Sequence, residues 1–134
     1  MRYEEIEHTA DVGIRAYGKT ASAIFASAAE GMFSIIADPG KVKPTGEVEI
    51  RLSAEDLPQL LVAWLSELLF LHETQRLLFC KFEVRIRGTS LRAKAWGEGI
   101  DKRRHELKLA IKAVTYHRLS VDVKKGVAEV IFDA

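Results

Sequence analysis

Apolar and polar residues alternate from Val12 onward: Val12, Ile14 and Ala16 fall on one side of an extended chain, Arg15 and Tyr17 on the other. A period of two marks a half-buried strand, and this one runs to Gly18. Residues 3–7 predict a shorter strand ahead of it, set off by the polar word His8-Thr9-Ala10-Asp11. The period then changes. Ile24, Phe25, Ala28, Met32, Ile35 and Ile36 recur at helical spacing and predict a helix over about 21–36. Thr20 stands where a hydroxyl can accept from a free backbone N–H, and Asp38-Pro39-Gly40 stops the helix because proline cannot continue it. Val48, Ile50 and Leu52 alternate with Glu49 and Arg51, which predicts another strand.

The clearest helical stripe follows. Leu57, Leu60, Leu61, Trp64, Leu65, Leu68 and Leu69 share one face of a helix over about 57–73, capped by Asp56 with Pro58 tolerated in its first turn. His72 stands near its C-terminal end, where the helix dipole favours a cation. Cys80, Phe82, Val84 and Ile86 alternate with charged residues, Gly88-Thr89 makes a turn, and Leu91, Ala93 and Ala95 alternate again, so a hairpin is expected. Residues 97–106 read as a polar loop. Residues 109–123 read as one long strand, with Ile111, Ala113, Thr115, Leu119, Val121 and Val123 on a single face. After the turn Lys124-Lys125-Gly126, the run Val127 to Phe132 is apolar on both faces, as in a central strand. Two helices and about six strands, mostly joined as hairpins, predict an α+β fold: one domain over residues 1–134, with a mostly antiparallel or mixed sheet packed against two amphipathic helices.

Composition narrows the function classes. The chain has 134 residues, 48% of them hydrophobic and 29% charged, which suits a packed core and a globular chain, not a disordered one. A net charge of +1 argues against nucleic-acid binding by bulk electrostatics, although a local patch stays open. The lone Cys80 excludes an intramolecular disulfide and a cysteine-based zinc site, and fits a reducing, cytoplasmic setting. The first residues form no signal peptide, and no apolar run is long enough to span a bilayer.

Candidate chemistry is sparse. Asp11 and Asp133 each stand at a strand edge beside apolar neighbours. If their strands are adjacent, two carboxylates converge, and a hard divalent cation with oxygen ligands relieves their repulsion. Ala134 ends the sequence and offers further oxygens. Against this, single aspartates near strand ends commonly serve turns. His8, His105 and His117 lack the spacing of a metal motif and read more simply as surface or hydrogen-bonded histidines. Lys112 lies off the apolar face predicted for its strand, where it can meet a phosphate or a carboxylate. Lys102-Arg103-Arg104 forms a small basic loop, most simply a solvated one. No phosphate-binding glycine loop, nucleophile elbow or dinucleotide fingerprint is present, and Gly97-Glu98-Gly99 lacks the third glycine and helix of the last.

Four stretches in order, His8-Thr9-Ala10-Asp11-Val12-Gly13, Trp64-Leu65-Ser66-Glu67-Leu68, Lys112-Ala113-Val114-Thr115-Tyr116-His117 and the closing Phe132-Asp133, resemble the archease family along the whole chain. The resemblance implies a non-catalytic accessory protein of tRNA splicing that promotes guanylylation and turnover of an RtcB-type RNA ligase. It also implies, as an alternative, a partner that tunes a tRNA cytosine methyltransferase. The tRNA itself would be met through the partner, if at all, and no membrane is involved. The resemblance assigns a divalent cation, calcium in known cases with magnesium or manganese as alternatives, to Asp11, Asp133 and a backbone oxygen of Ala134. It carries the family's functional lysine onto Lys112 and leaves His8 and His117 either as residues that orient the carboxylates or as structural ones. The family often ends in a bulkier apolar residue than Ala134, which puts the seating of the tail in question. A metal-dependent hydrolase built on Asp11, Asp133 and His117 ranks last, because the sequence offers no nucleophile and no dense ligand cluster.

Overall fold

The computed structural model describes residues 2–8 and 11–134, with His8 described by its backbone alone, so the Thr9-Ala10 part of the polar word lies outside the described residues. Its elements in chain order are β1 (Tyr3–His8), β2 (Asp11–Tyr17), α1 (Ala21–Ile36), β3 (Gly46–Ser53), α2 (Leu57–Gln75), β4 (Leu77–Arg87), β5 (Ser90–Gly99), β6 (Ala113–Val114), β7 (Ser120–Asp122) and β8 (Val127–Asp133). The α+β class stands, with all the strand pairs antiparallel. Where a single sheet was expected there are two. One holds five strands, with β8 between β2 on one edge and β6 and β7 on the other, and β1 outside β2; the second holds three, in the order β3-β5-β4.

The helices form where period and caps predict them. Thr20 Oγ1 accepts from the Ala23 N–H at 3.1 Å, and Asp56 Oδ1 accepts from the Gln59 N–H at 2.9 Å. α1 is buried nearly all round, because it lies against β1, β2 and β8 of one sheet and β4 of the other. α2 likewise touches both sheets. Leu60, Leu61, Trp64, Leu65 and Leu68 on its predicted stripe are fully buried, at about 1.5–3 kcal/mol for each such apolar side chain removed from water. Trp64 also donates its indole N–H to the Phe25 carbonyl at 3.0 Å, so its one polar atom is satisfied where it joins the two helices. No helix among the described residues is long and apolar enough to cross a membrane.

β2 alternates as predicted: Val12, Ile14 and Ala16 face the core, while Arg15 binds Glu4 of β1 and Glu129 of β8 on the opposite face. Gly13 is on that outer face with Ile6 and Ile131 as cross-strand neighbours. A Cβ there would stand 2.7 Å from the Ile131 side chain and 2.5 Å from the Val130 carbonyl oxygen, so only glycine lets the strands close.

The long strand expected over residues 109–123 is corrected. Only Ala113–Val114 and Ser120–Asp122 join the sheet. Both pair with β8, but the register slips by three residues between them, across an excursion that contains Arg118 in the left-handed region (φ 54°). An odd slip inverts the faces. Val114 and Val121 therefore both pack on the core while Ala113 is exposed, and the single apolar face drawn through Ala113, Val121 and Val123 does not exist. The hairpin is longer than its alternation predicts: β5 runs on through Gly97-Glu98-Gly99, where the polar sequence predicts a loop. Gly97 is required there, because a Cβ would collide with the Leu78 carbonyl where β4 bulges between Phe79 and Lys81.

Candidate functional site

The five-stranded sheet brings the predicted residues to one of its ends. The β2–β8 ladder runs from Tyr17 opposite Val127 to Val12 opposite Phe132. One further step in that register sets Asp11 opposite Asp133. Residues directly opposite each other send their side chains to the same face, with Cβ atoms about 4.5–5.5 Å apart. That face is the outer one, since Val12 and Phe132 point into the core. On the far edge of β8, Ala113 pairs with Asp133, and the Lys112 N–H donates to the Asp133 carbonyl at 2.6 Å. Asp133 is thus held by its backbone on the β6 side while the residue itself is exposed. Lys112 is exposed and Ala134 half-buried against the core, which seats the short tail despite its small side chain.

Among the described residues neither the Asp11 nor the Asp133 carboxylate has an ion-pair or hydrogen-bond partner. Nor do three or more His, Cys, Asp or Glu side chains cluster as a metal site among them. Two carboxylates with nearby backbone carbonyls make an all-oxygen donor set, which fits calcium or magnesium and not a softer metal. His8 pairs with Asp11 across β1 and β2, its side chain lying outside the described residues. His117 is exposed in the turn after β6, and its backbone N–H donates to Thr115 Oγ1 at 3.3 Å. The Thr115 hydroxyl and N–H both donate to the Ile131 carbonyl, so this turn hangs on β8 two positions from Asp133. Tyr116, 64% exposed, stands out on it as an aromatic whose exposure the sequence pattern does not announce.

Other sequence candidates are placed elsewhere. His105 is not on the surface but 4% exposed. Its Nδ1 accepts from the Asp101 N–H at 2.9 Å, so its Nε2 carries the proton toward Glu98 Oε2 at 2.9 Å. Arg104 closes the same carboxylate with contacts of 2.6 and 3.1 Å, and the Lys43 N–H adds one of 2.8 Å. Arg104, then the Lys43 amide, with His105 adding to them, hold the Glu98 carboxyl down at about 2. This network pins the loop after β5; it is a fastening, hidden in sequence because its members looked like solvated charges. Burial pushes the Cys80 thiol up, away from nucleophilic use.

The Archease protein family model matches residues 3–134. The chain belongs to the archease family. It is 47% identical over 122 residues to protein archease of Saccharolobus islandicus, covering 90% of this chain and 88% of that one. Protein archease of Sulfurisphaera tokodaii is 39% identical over 126 residues, covering 92% and 91%. The solution structure of protein 1598 of Methanobacterium thermoautotrophicum superposes with a TM-score of 0.85 at 37% identity, covering 99% of each chain. The chain therefore shares the fold of the family whose resemblance implied an accessory role in tRNA splicing.

Proposed function

We propose that the protein activates an RtcB-type RNA ligase as a non-catalytic accessory of tRNA splicing, by promoting guanylylation and turnover of the ligase. The observation that supports this reading is the meeting of strand ends: the β2–β8 ladder closes with Val12 opposite Phe132, one step short of Asp11 and Asp133, and the Lys112 N–H donates to the Asp133 carbonyl. Asp11 and Asp133 would hold a divalent cation, calcium first, with a backbone oxygen of Ala134 alongside. When bound, the cation supplies positive charge to an end that otherwise presents carboxylates. Lys112 reaches from the same end toward an anionic group of the ligase or its nucleotide. Tyr116, large and amphipathic, gives a partner an anchor beside it.

The test is guanylylation of the cognate ligase with GTP, metal and a substoichiometric amount of this protein. Multiple ligase turnovers appear only when it is present, and Asp11→Ala or Lys112→Ala removes the stimulation while the far-UV spectrum stays native. An unchanged ligase rate would sink the proposal and turn attention to a tRNA cytosine methyltransferase, which a chaperone-like partner would protect from aggregation.

A further inference from the structure

The exposed face of the three-stranded sheet carries rows of residues directly opposite one another on β3, β5 and β4. One row reads Glu49–Lys94–Glu83, acid, base, acid. On the five-stranded sheet Glu4–Arg15–Glu129 repeats that order and is closed by ion pairs of 3.0 and 3.2 Å. Alternation of this kind is what cross-strand electrostatics favours. The next row of the three-stranded sheet breaks the rule: Arg51, Arg92 and Arg85 stand side by side, all exposed. Like charges directly opposite each other on neighbouring strands oppose folding. The row beyond adds Arg87 and the hydroxyls of Ser53 and Ser90, with no acid. Among the described residues the ion pair these arginines make is Arg85 with Glu83 at 3.8 Å, solvent-exposed and so worth little.

We infer that this face binds the phosphate backbone of an RNA duplex. Neighbouring strands are about 4.8 Å apart, so the three guanidinium stems span about 10 Å on a flat, paired support. Each guanidinium is a planar fork that takes two phosphate oxygens. Proteins usually dock on an apolar centre, and the large exposed apolar side chains, Phe70, Leu107, Leu109, Tyr116 and Val123, are all off this face. A membrane surface would want such groups as well. Nucleic-acid interfaces are instead polar and strongly positive. Stacking on bases is disfavoured because Lys81 already sits over the Trp96 ring, at 4.8 Å, so the face reads backbone and not sequence. The choice of RNA over DNA rests on the function proposed above; the phosphate-binding row itself does not.

The experiment is fluorescence anisotropy of a labelled RNA duplex against the whole protein over a range of salt concentrations. Three phosphate contacts predict a slope of log K against log salt of about −2.7. Arg92→Gln should reduce its magnitude by about 1, and Arg51→Gln/Arg85→Gln/Arg92→Gln should abolish binding. The triple variant should melt no lower than the parent, since it removes a repulsive row, and this separates lost binding from lost folding. It should also stimulate ligase guanylylation as the parent does, because that step uses no RNA; failure of one reading is therefore visible apart from the other. No binding by the parent, binding insensitive to the triple variant, or tighter binding to a DNA duplex or to polyglutamate would overturn the inference.

Discussion

Two carboxylates set opposite each other on adjacent strands repel unless something positive comes between them. At Asp11 and Asp133 this gives a test that needs no partner protein. Calcium at about 100 times its Kd should stabilise the fold by about 2.7 kcal/mol, seen as a rise in melting temperature that a chelator reverses. Asp11→Asn or Asp133→Asn should lose that rise and, in chelator, melt at or above the parent because one of the repelling charges is gone. A parent whose melting temperature ignores calcium, or an Asn variant that keeps the full rise, would remove the cation from the site. Glu98 makes the opposite case, a carboxylate fully partnered. Its folded pKa, about 2, lies below the ordinary 4.5, so the stability it contributes is complete above pH 4.5 and drains away as the pH falls toward 2. Melting curves across that window should fall less steeply for Glu98→Gln than for the parent, and equal slopes would mean that the network around Glu98 adds nothing.

At the scale of elements, the sequence was most legible where one physical rule acts alone. α1 begins and ends at the predicted residues because a cap, a helical period and a proline stop agree. β2 shows its period because one face is core and the other carries Arg15 and Tyr17. The stretch from 109 to 123 was misread because period two was carried through an odd slip: nothing in Thr115 to Leu119 announces a left-handed Arg118, which is not a glycine. The end of β5 was misread for another reason. Gly97 and Gly99 look like turn residues, yet Gly97 is there to let a bulged β4 come close. Of the candidate site, the residue types were visible in the polar words, but their meeting depends on the β2–β8 pairing, which spacing alone does not give. The arginine row was invisible for the same reason: Arg51, Arg85 and Arg92 become neighbours only through two strand registers.

For the whole molecule, charge is arranged in two places that the near-neutral total conceals. Asp11 opens β2, whose other end leads into α1; there Ser22 Oγ accepts from the Ile86 N–H at 2.9 Å, between Arg85 and Arg87. The acidic end and the arginine row are therefore separated by about the length of a seven-residue strand, roughly 20 Å. On the two readings proposed above, one end holds a cation against a partner while the other holds a polyanion. The central position of β8 also has a consequence in time. β4 and β5 are joined by a two-residue turn and can zip locally, whereas β2 pairs with a strand from the opposite end of the sequence, and such distant closures are slow. Pulse-labelled hydrogen exchange during refolding should show the β4–β5 amides protected before those of β2 and β8; simultaneous protection would refute this order. A nascent chain that has not yet reached β8 has Arg51, Arg85 and Arg92 but only one of the two aspartates, so the cation site proposed here is assembled only after the arginine row.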